Sequence, residues 1–159
     1  MKKTLIINYS RSGTTNLLAK KLAEKLGADV EEIIDKTSRG GALGYIIGGR
    51  DAILKKTTLI EPLKKDFSKY ELVIIGTPNW AGTITPAIRT VLMQNKKNLK
   101  KVAFFQTRGG DNDQKVFEAM QEVLNAKPLA TLGMKTKEVR KGENEDKIDD
   151  FVKKIKSCK

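Results

Sequence analysis

A chain of 159 residues suits one domain, and its 39% hydrophobic and 31% charged residues are a globular balance with no apolar run near the ~18 residues a membrane span needs. A single cysteine, Cys158, and no histidine exclude an internal disulfide, a thiolate metal cluster, imidazole metal ligands and acid–base catalysis by histidine. The net charge of +12 raises nucleic acid as a partner, but the lysines are scattered as pairs such as Lys20-Lys21, Lys64-Lys65 and Lys100-Lys101 without interleaved aromatics, so nucleic acid is not the expected ligand.

The first strand is expected over residues 4–8, where Leu5, Ile6 and Ile7 form a continuous apolar run. It begins too early to leave room for a signal peptide, so a cytoplasmic protein is expected. A helix follows at 14–26. Leu17, Leu18, Leu22 and Leu26 recur at helical spacing for the core, lysines and Glu24 take the other side, and Gly27 is a stop signal. A second strand is expected at 29–34. The segment 40–58 then holds a helix at 44–54, with Ile46, Ile47, Ile53 and Leu54 expected in the core; the alternative is that Tyr45 or Arg50 reaches a partner or substrate.

The third strand is expected at 72–76. The helix at 84–95 carries Pro86 near its start, where a missing N–H matters little, and Ile88, Val91 and Leu92 as its apolar stripe. A fourth strand at 102–106, a helix at 111–124, a weaker strand at 129–134 and a last helix at 143–157, with Ile148, Phe151, Val152 and Ile155 inward, complete the chain. Strict alternation of strand and helix over residues 1–159, with strands apolar on both faces, specifies one α/β domain with a parallel sheet and right-handed crossovers.

In such sheets ligands bind beyond the carboxyl ends of the strands, which here end in three loops. The first, Ser10-Arg11-Ser12-Gly13-Thr14-Thr15, opens a helix whose free N–H groups and positive dipole end favour an anion, with hydroxyl donors and a glycine for close approach. It is neither a Walker A loop nor a dinucleotide fingerprint, which points to a lone phosphate monoester. The alternative for this loop by itself is helix capping by Ser12 or Thr14. The second loop, Thr77-Pro78-Asn79-Trp80-Ala81-Gly82-Thr83, places the only tryptophan among small residues with little nearby to bury it, as a wall for a planar ring. In the third, Thr107-Arg108-Gly109-Gly110-Asp111, the glycines can offer backbone N–H groups to the edge of a polar ring. A phosphate, an aromatic wall and a polar edge outline a flavin mononucleotide.

The chain resembles the flavodoxin family over nearly its whole length. "YSRSGTT" is similar to that family's phosphate loop, "IIGTPNWAGTITPAIRTVL" to its third strand, flavin-stacking loop and third helix, and "FFQTRGG" to its fourth strand and second flavin loop. The resemblance implies a flavodoxin-like fold, a five-stranded parallel sheet of order 2-1-3-4-5 with helices on both faces, and non-covalent FMN. It assigns phosphate binding to Ser10, Arg11, Ser12, Gly13, Thr14 and Thr15, ring contacts to Pro78, Asn79, Trp80 and Ala81, and edge contacts to Thr107, Arg108, Gly109 and Gly110. The implied activity is electron transfer between cytoplasmic redox partners. An FMN-dependent reductase using NAD(P)H with a quinone or porphyrinogen-type substrate is the alternative, and a binding module with a degenerate flavin site a third. Two features depart from the family: residues 107–113 contain no aromatic to cover the outer flavin face, and the chain is basic where flavodoxins are acidic, so redox partners with acidic surfaces are expected. A receiver domain would need acidic residues where Asn8, Tyr9 and Thr77 stand, and a low-molecular-weight phosphatase a cysteine in the first loop; both are excluded.

Overall fold

Five parallel strands pair in the order β2-β1-β3-β4-β5 in the computed structural model, which describes residues 3–111 and 114–158. The chain runs β1 (Thr4–Asn8), α1 (Thr14–Leu26), β2 (Asp29–Glu32), α2 (Gly41–Ile53), β3 (Leu72–Pro78), α3 (Pro86–Asn95), β4 (Lys101–Arg108), α4 (Gln114–Leu124), β5 (Thr131–Lys135), α5 (Thr136–Lys141) and α6 (Glu145–Ser157). Alternate residues of each central strand face opposite sides. Leu5, Ile7, Val73, Ile75 and Phe104 pack under α3 and α4, while Ile6, Ile74, Ala103 and Phe105 pack under α1 and α6. This two-sided burial explains the continuous apolar strands. Phe105 lies so close over β3 that a methyl at Gly76 would come within 1.9 Å of its ring.

The strand ends differ from the sequence expectation in a way that shapes the site. β2 is an edge strand paired only with β1; its register ends at Glu32 opposite Asn8, with a last bond from Ile33 N to Asn8 O at 2.7 Å, so it is shorter than expected. β3 and β4 are central and pair with each other two residues further than expected, Thr77 opposite Gln106 and Pro78 opposite Thr107. Those residues are therefore held by the sheet.

The helices at 14–26, 84–95 and 143–157 bury the expected stripes, except that Leu17 is exposed and Leu26 half-buried. The predicted start of α4 partly lies outside the described residues, at 112 and 113. The expected packing of α2 is reversed: Ile46 is 66% exposed, Ile53 61% and Leu54 57%, Ile47 is half-buried, and the buried face is Gly44, Gly48, Asp51 and Ala52. The reason is distance. A methyl at Gly44 would meet the Arg39 backbone at 2.4 Å, and one at Gly48 the Trp80 ring at 2.7 Å, so only glycines let α2 lie this close. Arg39 holds the helix down, its guanidinium donating to Asp35 Oδ2 at 3.1 Å and Asp51 Oδ2 at 2.8 Å in a nearly dry environment.

Helix α5 has no counterpart in the sequence reading. Its start is tied by the Lys135 N–H donating to Glu138 Oε2 at 2.7 Å, and it ends at Gly142 in the left-handed conformation. Among the described residues no helix is long and apolar enough to cross a membrane.

Candidate functional site

The first strand turns into α1 through Gly13, whose φ of 90° is open to glycine at little cost. Gly13 is itself the N-cap, and α1 receives no side-chain cap and has no acidic residue in its first turn. The expected alternative of capping by Ser12 or Thr14 is thus absent. The first helical bond runs from Leu17 N to Gly13 O at 2.9 Å, leaving the amides of Thr14, Thr15 and Asn16 without partners inside the helix. Beside them Ser10 Oγ is fully buried and, among the described residues, has no hydrogen-bond partner. Unfilled donors around a positive helix end are what an anion would satisfy.

The three loops are braced against one another at this end of the sheet. Thr15 Oγ1 and Thr107 Oγ1 lie 2.7 Å apart, joining the first loop to the third. Asn79 N donates to Thr107 O at 2.8 Å and Asn79 Nδ2 to Gln106 Oε1 at 3.3 Å, joining the second to the third. Asn79 Oδ1 also accepts from Gly82 N at 2.8 Å, fixing the turn whose tip is Ala81 (φ 52°) and Gly82 (φ 82°). The hydroxyls of Thr15 and Thr107 are thereby used inside the scaffold, while Ser12 is exposed and the Ser10 hydroxyl stays buried. Pro78 is half-buried at the end of β3, and Ala81, Gly109 and Gly110 are exposed, with open space where a Cβ would stand on either of these two glycines. Arg108 closes β4, and Asp111 beyond it pairs with Lys135.

Two predicted residues are engaged elsewhere. Trp80 is only 9% exposed, against the expectation that little would bury it: its ring rests on Gly48 of α2 and meets Tyr9 edge-on at 5.7 Å. Both neighbours are remote in sequence. Tyr9 in turn is kept a neutral phenol, its pKa pushed up to about 12 by burial and then by the nearby Asp35 carboxylate. Arg11 turns away from the helix end, donating Nε to Arg39 O at 2.8 Å and Nη2 to Gly41 O at 3.0 Å, with its guanidinium 5.3 Å from the Tyr45 ring centre. A different arginine takes the vacated direction. Arg140 on α5 donates Nε to Thr14 Oγ1 at 2.9 Å and Nη2 to Ser12 Oγ at 3.4 Å. Sequence reasoning missed it because α5 was unseen; the Gly142 stop signal after Val139-Arg140-Lys141 was the available clue.

Beside Trp80 a cavity of about 270 Å³ is walled by Tyr45, Ile46, Gly49, Arg50, Ile53 and Ala81, and Tyr45 is 65% exposed. The reversed α2 thus lays apolar side chains along the margin of the second loop.

No protein-family model and no curated protein sequence matches the chain. Solved structures do. A flavoprotein in complex with FMN from Lactobacillus acidophilus superimposes with a TM-score of 0.73 at 26% identity, covering 95% of this chain and 99% of that one. A flavoprotein from Bacteroides uniformis gives 0.73 at 19% identity over 96% and 98% of the two chains. A Fusobacterium nucleatum flavodoxin bound to flavin mononucleotide gives 0.62 at 11% over 99% and 98%, a likeness of fold alone.

Proposed function

We propose that this chain, flavodoxin-like in fold, is an FMN protein that passes electrons between redox partners. The observation that carries the proposal is the start of α1: a helix with a glycine N-cap and no side-chain cap, and a buried Ser10 hydroxyl without a partner among the described residues, ringed by residues that fit a phosphate monoester. The Lactobacillus flavoprotein, 26% identical over nearly the full length of both chains, is a complex with FMN and supports the same ligand. Ser10, Ser12, Gly13 and the amides of Thr14 and Thr15 would hold the phosphate. Pro78, Asn79, the uncovered part of Trp80 and Ala81 would flank the ring, and the backbone of 107–110 would meet its polar edge. Bound FMN supplies one- or two-electron redox chemistry; the protein orients the ring and sets its potential through hydrogen bonds and charge. The formal +12 favours partners with acidic surfaces, whose association slows as salt rises.

The cavity beside Trp80, apolar but for Arg50, favours a second reading, a reductase in which a flat substrate sits next to the flavin. Calorimetry with FMN and riboflavin tests the cofactor: FMN binds far more tightly, and equal affinity removes the phosphate site. Anaerobic addition of NADH or NADPH to the yellow protein then separates the readings. Unbleached flavin supports the carrier, and bleaching supports the reductase.

A further inference from the structure

Arg140, an exposed residue, holds its guanidinium beside a positive helix end. Its guanidinium lies against Ser12 and Thr14, at the end of α1 that already carries about half a positive charge. Among the described residues no carboxylate pairs with it, and α1 offers none in its first turn. The side chain is nevertheless positioned, because the two residues before it in the helix are fixed. Val139 is buried in the core, and the Glu138 carboxylate accepts from Lys135 N at 2.7 Å, Asn144 Nδ2 at 2.7 Å and Lys147 Nζ at 2.9 Å. Hydrogen bonds to two neutral hydroxyls give it no counter-charge.

We propose that Arg140 is the charge partner of the ligand's phosphate, so that α5, and not Arg11 of the loop itself, makes the site selective for a dianionic monoester over the same ring without phosphate. The inference rests on the FMN reading above. A dianion at the amides of Thr14 and Thr15 lies beside the guanidinium and reverses the sign of the local field, turning the repulsion between Arg140 and the helix end into a three-way attraction. Arg11 contributes little, since its guanidinium is turned toward the carbonyls of Arg39 and Gly41, which accept from its Nε and Nη2.

The test is calorimetry of the full chain with FMN and with riboflavin, on the wild type, Arg140→Met, Arg140→Lys and Arg11→Met, with the melting temperature of each. In Arg140→Met, FMN binding weakens on the order of tenfold to a hundredfold, the range for a charge-assisted contact, while riboflavin binding and the melting temperature stay at wild-type values. Arg140→Lys recovers part of the loss, and Arg11→Met keeps the preference for FMN. Inorganic phosphate competes with FMN in the wild type and much less in Arg140→Met. If FMN and riboflavin weaken together, or neither changes, in a wild type that prefers FMN, the role of Arg140 is overturned and the FMN site stands. If the wild type itself shows no preference for FMN, both fall. Should Arg140→Met fail to fold, Arg140→Lys decides: FMN affinity falling with riboflavin affinity unchanged upholds the inference, and any other pattern overturns it.

Discussion

Gly48→Ala probes the contact on which the placement of α2 and of Trp80 depends. A Cβ there would lie 2.7 Å from Trp80 Cζ3, 3.1 Å from Cε3 and 3.3 Å from Cη2, against the roughly 3.5–4.0 Å of an ordinary carbon contact. The indole cannot simply retreat. Its ring also meets Tyr9 edge-on, and its backbone exchanges hydrogen bonds of 3.1 Å with Thr83 in both directions. Helix α2 must therefore lift by about an ångström, straining the Arg39 clamp, and forced overpacking of this kind costs about 1–3 kcal/mol. Against this, any interior glycine changed to alanine gains about 0.5–1 kcal/mol of helix propensity. Gly49→Ala is the control, since its Cβ would meet nothing within 4 Å. The propensity gain is common to both variants, so their stabilities should differ by the packing term alone, about 1–3 kcal/mol with Gly48→Ala the weaker. Guanidinium unfolding followed by tryptophan fluorescence measures this directly, because Trp80 is the only tryptophan and sits at the contact. Its emission should also shift to the red in Gly48→Ala. Equal stability of the two variants would refute the close approach of helix and indole.

Two further perturbations follow from the same structure. Glu138 is buried, which by itself raises a carboxyl pKa, but hydrogen bonds from Lys135 N, Lys147 and Asn144 outweigh burial and hold it at about 2 against 4.5. Its charged form is favoured by folding, so its contribution is complete above about pH 4.5 and is lost as pH falls towards 2. Glu138→Gln should lower stability by about 3 kcal/mol at pH 7, with the gap to the wild type closing over that acid range in urea titrations; a gap independent of pH contradicts this. Trp80→Ala should lower stability by about 3–5 kcal/mol, as for a buried aromatic, and weaken FMN binding by about 1–3 kcal/mol, with FMN quenching the wild-type fluorescence. Lost stability with unchanged FMN affinity would make the indole a packing residue alone.

What could be read without coordinates was whatever depends on neighbours in sequence. Runs such as Leu5-Ile6-Ile7 fix strands buried on both faces, the stripes Ile88-Val91-Leu92 and Ile148-Phe151-Val152-Ile155 fix helix faces, and their alternation leaves the parallel α/β architecture as the economical solution. The hydroxyl loop before α1 was legible too, since a helix start is a local event. Distances between segments were not. Helix α2 carries its isoleucines outward because Trp80 and the Arg39 backbone leave room only for Gly44 and Gly48, a constraint absent from its own periodicity. Arg11 leaves its expected place and Arg140, which the sequence did not point to, stands there for the same reason: the carbonyls of Arg39 and Gly41 that capture one, and the helix end that faces the other, are set by the packing of α2 and α5. Sequence periodicity records what a side chain prefers to bury, whereas the fold decides which partner is within hydrogen-bonding reach, and the charge at the candidate phosphate site is set by the second.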